Sequence, residues 1–124
     1  MKLFIQLAAV FGALAVIIGA FGAHGLKERI PADLMAVYQT GVQYHFYHVL
    51  ALLAVGLIAA QTPPSSWLNI SGWAFVVGIL IFSGSLYVLA ISGIRWLGAI
   101  TPIGGVAFIV GWIALLIHFI KSPA

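Results

Sequence analysis

Cysteine is absent, and only seven of the 124 side chains carry a formal charge. The missing thiol removes disulfides, thiolate metal sites and thiol catalysis, and leaves the redox compartment undetermined. Soluble domains carry about 25% charged residues, whereas here the figure is 6%, against 64% hydrophobic. So few charges cannot clothe a soluble surface, so the surrounding medium is lipid. Acid is scarcer still: Glu28 and Asp33 are the two carboxylates. The five cations, Lys2, Lys27, Arg29, Arg95 and Lys121, are scattered singly. No basic cluster exists to follow a phosphate backbone, so nucleic acid is not an expected partner.

What the chain does have is four long apolar stretches. The first, about 3–23, is long enough to cross a hydrocarbon core of ~30 Å at ~1.5 Å per residue. A cleaved leader is the rival reading, with Lys2 as its basic start, Leu3 to Ile18 as its apolar run and Ala20-Phe21-Gly22 as its cleavage site. The apolar stretch exceeds a usual leader, so a retained span is expected. A polar connection from His24 to about Pro31 follows. Pro31 suits a helix start, and Asp33 falls in the first turn, where the helix dipole favours an anion.

From there to Ala60 nothing but isolated glycines interrupts a helix. The first part, about 32–41, reads as a polar lead-in at the membrane surface, and about 42–60 as the second span. Thr62-Pro63-Pro64-Ser65 is a break. The third span is expected over about 67–91, opened by the interfacial Trp67 and Trp73. A short turn holds Arg95 and Trp96. The fourth span, about 101–120, is expected to start with Thr101 as N-cap and Pro102 at the first helical position, and Lys121-Ser122-Pro123-Ala124 follows it. Short connections predict an all-α, up-down-up-down four-helix bundle forming one transmembrane domain, with both termini on one side. Lys27, Arg29 and Arg95 against Lys2 and Lys121 favour the first and third loops in the cytoplasm.

In lipid, helices associate through close van der Waals contact, and small residues mark the contact faces. Gly12, Gly19 and Gly22 in the first span, Gly84 in the third, and Gly104, Gly105 and Gly111 in the fourth are the expected packing positions. They serve one bundle or a seam between copies.

Ionisable groups inside a membrane are functional candidates. No apolar span contains a carboxylate, which argues against a proton-coupled exporter. His45 and His48, at helical spacing three, form the centre of a candidate patch with Gln43, Tyr44, Ser83, Ser85 and Tyr87. Two readings are open. The patch hydrogen-bonds between helices and to headgroups, or it lines a site for a lipid, quinone or haem. No third metal ligand is evident, so no metal site is expected. Ser83 has no base beside it in sequence. It would need His45 from the second span, so no catalytic residue is assigned.

Gly-Ala-Phe-Gly-Ala-His-Gly-Leu at 19–26, Tyr-Gln-Thr-Gly-Val-Gln-Tyr-His at 38–45 with His48 after it, Phe-Ser-Gly-Ser-Leu-Tyr at 82–87, and Thr-Pro-Ile-Gly-Gly at 101–105 with Gly111-Trp112 together resemble one family. It is the small membrane proteins called domain of unknown function 423, similar to transmembrane protein 256. The resemblance covers essentially the whole chain. It implies a four-span bacterial inner-membrane protein and brings no activity, cofactor or catalytic residue. The expectation is a non-enzymatic, multi-pass protein with a structural or accessory role. Its partners are membrane lipid and either a second copy of itself or a larger membrane complex.

Overall fold

The computed structural model describes residues 2–122. Met1 and the Pro123-Ala124 tail expected after the last span lie outside the described residues. Four helices are long and apolar enough to cross a membrane: α1 (Leu3–Leu26), α2 (Ala32–Gln61), α3 (Ser66–Ser92) and the stretch Arg95–Lys121. That last stretch is a 3₁₀ turn, Arg95–Ala99, followed by the α-helix Thr101–Lys121, here α4. Among the described residues there is no strand. The fold is the all-α four-helix bundle the sequence predicts.

α2 and α3 pack against each other and form the enclosed middle of the bundle. α1 lies along α2, and α4 lies along α3, so these two occupy the outer corners. Two side-chain contacts mark the alternation of direction. Arg95 Nη2 donates to Asp33 Oδ2 at 2.9 Å, joining the first and third connections at one end. At the other end Ser65 Oγ and His118 Nδ1 are 2.8 Å apart, joining the second connection to the end of α4. The core divides along the same axis. Phe4, Leu52, Val55, Leu68 and Phe75 fill the end near the second connection. Leu26, Leu34, Tyr38, Leu89 and Ala90 fill the other. Outward faces carry side chains such as Val16, Ile17, Leu50, Ile109 and Ile120. Such a surface suits a solvent that cannot hydrogen-bond.

Helix ends follow local chemistry, with two departures from expectation. Ser65 Oγ accepts from the Leu68 N–H and caps α3. Gly93, at φ 73°, closes it in the left-handed conformation that glycine adopts without cost. Thr101, however, does not cap α4: Ile100 holds that position, and the threonine hydroxyl lies 2.6 Å from Ser85 Oγ on α3. His24 is not in a loop either. α1 continues through a π-helical turn, Gly22–Leu26, and His24 sits exposed on it. A second π-helical turn, Ile79–Ser83, interrupts α3 near its middle.

Glycine contacts explain how closely the helices approach. A Cβ on Gly104 would lie 2.3 Å from the Phe82 backbone nitrogen, and one on Gly111 would lie 2.5 Å from the Phe75 ring. Gly22 faces the Tyr38 ring, while Gly12 and Gly19 meet Val49 and Val42. Two expected packing glycines do not pack in this way. Gly84 has nothing within 4 Å of its would-be Cβ, and Gly105 makes only ordinary contact with Phe82. In α3 the small residues Gly72 and Gly78, which the sequence also marks for packing, sit against Phe4 and Phe108, and the unmarked Gly41 and Gly56 sit against Tyr87 and Ile5, all at less than contact distance for a methyl group.

Candidate functional site

The polar residues of α2 lie in mid-helix, between α1 on one side and α3 and α4 on the other. His45 and His48 are both buried, yet they do not form one patch. A spacing of three lets two long side chains on one helix face reach different neighbours, and here each imidazole serves a different pair of helices.

His45 joins α1, α2 and α3. Its Nε2 is 2.9 Å from the Phe11 carbonyl and its Nδ1 is 2.8 Å from the Tyr87 hydroxyl. A carbonyl only accepts, so Nε2 carries the hydrogen. In the neutral ring Nδ1 therefore accepts from Tyr87. His48 joins α2 to α4 with the opposite assignment. The indole Nε1–H of Trp112 donates to Nε2 at 3.1 Å, so Nε2 carries no hydrogen, and Nδ1–H donates to the Tyr44 carbonyl at 2.8 Å. The imidazole also stacks on Phe108 with ring centroids 3.6 Å apart. All four nitrogens are thus occupied, and none offers a lone pair to a metal or haem iron without breaking a helix–helix contact.

The remaining candidates distribute in the same manner. Ser83 Oγ donates to the Gly41 carbonyl at 2.7 Å. Ser85 Oγ donates to the Phe82 carbonyl at 3.0 Å in addition to its contact with Thr101. α2 and α3 do meet at this depth, as a Ser83–His45 pair requires. But the serine proton points at a carbonyl and the imidazole at Tyr87 and Phe11, so there is no nucleophile–base bond. The Tyr44 ring lies tilted against Phe82 and stacked on His48 and Phe108, and Gln43 is exposed on the outer face of α2. The Tyr44 carbonyl and ring thus support His48, while the Tyr44 hydroxyl and the Gln43 amide take no part in the buried hydrogen bonds. Among the described residues no group of three potential metal ligands occurs.

Three further participants lie outside the candidate set, although Tyr38 belongs to the polar first part of α2 and to the 38–45 motif. Ser71 Oγ donates to the Gly111 carbonyl at 2.7 Å, buried. Tyr38 donates to the Ile18 carbonyl at 2.5 Å. The Phe11 carbonyl is a backbone group, which no side-chain pattern marks. Beside His45 and Tyr87 lies a narrow crevice between α1 and α3, lined also by Phe11, Ile79 and Gly84, with a volume of about 150 Å³. Sites for small molecules run from about 300 Å³ upward, so the crevice holds less than such a ligand. Its presence accounts for the open space at Gly84.

The family model described as "Protein of unknown function (DUF423)" matches residues 18–105. The chain belongs to that family. The match takes in Tyr38, His45, His48, Ser83, Tyr87 and Thr101, and ends before Phe108, Gly111 and Trp112. Over 121 residues the chain is 49% identical to the UPF0382 membrane protein YwdK of Bacillus subtilis, covering 98% of each. It is 50% identical over 121 residues to the UPF0382 membrane protein SSP2132 of Staphylococcus saprophyticus, covering 98% of this chain and 99% of that one. No solved structure matches. Membership in the DUF423 family agrees with the composition and the four apolar helices: this is a small membrane protein of a family without a defined activity.

Proposed function

We propose that the chain is a multi-pass protein of the bacterial plasma membrane with a structural or accessory role and no catalytic one. The observation that carries this reading is how the interior polar groups are used. Among the described residues, the buried side chains of Tyr38, His45, His48, Ser71 and Ser83 each spend their hydrogen bonds on another part of the same bundle. Acid–base or nucleophilic chemistry needs a group left free for a substrate. A set of side chains tied to one another instead fixes the geometry of the four helices. The first and third loops, which carry Lys27, Arg29 and Arg95, face the cytoplasm in this reading, and Lys2 and Lys121 lie on the opposite side.

The test begins with the protein purified in a mild detergent. An absorption spectrum and a native mass should report no haem, quinone or other stoichiometric ligand. Cross-linking in the membrane should capture a defined oligomer or one constant partner. A bound chromophore lost on substitution of His45 and His48 by alanine would replace the accessory role with ligand binding.

A further inference from the structure

Two polar side chains of α2 face outward at a depth where lipid offers nothing to bond. Ile79 is the middle residue of α3, and Gly111 is that of α4. His48 bonds to Trp112 and packs on Phe75 and Phe108 around those midpoints, while His45 bonds to Tyr87 further along α3. Centring the four helices on the hydrocarbon layer puts its middle between His45 and His48, at Tyr47. Tyr47 is 57% exposed. Gln43, one turn away and so about 6 Å from the midplane, is exposed as well. A core of ~30 Å puts the headgroups some 15 Å from Tyr47, beyond the reach of a tyrosine hydroxyl. Among the described residues, neither the Gln43 amide nor the Tyr47 hydroxyl has a hydrogen bond to another part of the chain.

These two side chains belong to a continuous outer stripe. Gln39, Gln43, Tyr47, Leu50, Ala54 and Leu57 are all exposed, at successive steps of four, four, three, four and three. From Gln43 onward the steps alternate between four and three, the repeat of a seam between two helices packed in a left-handed crossing. Exposure to lipid alone explains Leu50 and Leu57, but not an amide and a phenol in hydrocarbon. In membranes such groups join helices.

We infer that this face of α2 is the seam of a homodimer, in which Gln43 and Tyr47 bond to the same residues of a second copy. A carboxamide both donates and accepts, so Gln43 is complementary to itself across a two-fold axis. The stripe carries no charge that would repel its own image. The inference rests on the accessory role proposed above and supplies its partner.

The absence of cysteine makes the test direct, because each introduced thiol is unique. Leu50→Cys, Ala54→Cys and Leu57→Cys chains in native membranes should give disulfide-linked dimers on oxidation. Ile17→Cys on α1 and Ile109→Cys on α4, equally exposed to lipid, should not. In phosphatidylethanolamine–phosphatidylglycerol vesicles, energy transfer between labelled copies should report association that falls on dilution with lipid. Gln43→Leu combined with Tyr47→Phe should shift the midpoint by about threefold to thirtyfold, the span expected for lost interhelical hydrogen bonds. Gln43→Asn, which keeps the amide, should shift it less. Helicity measured by circular dichroism should stay unchanged in all of them.

Equal cross-linking at Ile17→Cys and Ile109→Cys, or an unchanged midpoint in the double variant, would overturn the seam. A Leu50→Cys chain that links to one other defined membrane protein, and never to itself, ends the homodimer and leaves the accessory role standing. A chain that is monomeric at every dilution, and that links to nothing, ends both.

Discussion

Gly104→Ala and Gly84→Ala form a matched pair, one methyl group each, with opposite expected results. At Gly104 the new Cβ would stand 2.3 Å from the Phe82 nitrogen and 2.7 Å from its Cα. These are backbone atoms of α3, so no rotamer change relieves the overlap. Reaching even a tight 3.4 Å requires α3 and α4 to part by about 1.1 Å, the difference between that contact and the 2.3 Å position. The same seam holds the Ser71–Gly111 hydrogen bond at 2.7 Å, and an added ångström takes it past bonding distance. Overpacking costs about 1–3 kcal/mol and an interhelical hydrogen bond about 0.6 kcal/mol. Alanine returns at most ~1 kcal/mol of helix propensity. The net expectation is a loss of about 1–3 kcal/mol. At Gly84 there is nothing within 4 Å, so only the propensity gain operates, and the variant should be as stable as the parent or up to ~1 kcal/mol more stable. Reversible unfolding in mixed micelles of increasing dodecyl sulfate fraction measures both. Equal stability of the two variants would refute the argument that α3 and α4 meet backbone to backbone at Gly104.

Tyr87→Phe removes the donor to His45 Nδ1 and should cost about 1 kcal/mol in the same unfolding assay, with helicity retained. Nitrogen-15 spectra of the labelled protein should show hydrogen on Nε2 of His45 and on Nδ1 of His48; Trp112→Phe should perturb His48 and leave His45 as it was. Arg95→Ala and Asp33→Asn should leave unfolding nearly unchanged, since both side chains of that ion pair are exposed and screened by water and salt.

Much of the architecture was legible in the sequence because lipid imposes a simple rule: a span must be long, apolar and helical. Thr62-Pro63-Pro64 and the scarcity of charge were enough to find the number and type of elements. The faces of the helices were harder to read. Small residues at helical spacing mark a stripe without saying what lies opposite it. Gly84 therefore read as a packing position although it borders a crevice, while Gly41 and Gly56 passed unnoticed. The histidine pair shows the same limit. Sequence spacing put His45 and His48 on one side of α2, but which helix each imidazole meets depends on where Phe11, Tyr87 and Trp112 are carried by three other helices. Thr101 looked like a cap because threonine often is one; its hydroxyl instead reaches Ser85 across the α3–α4 seam.

The placement of α2 at the centre of the bundle bears on how the chain is made. α2 is the least apolar of the four helices and, with α3, the most enclosed. When it leaves the ribosome, α1 has already been made, so the Phe11 and Ile18 carbonyls are available but Tyr87 and Trp112 are not yet synthesised. Polar side chains raise the cost of releasing a lone helix into the bilayer. The histidines of α2 therefore have their full set of partners only once α3 and α4 have been made.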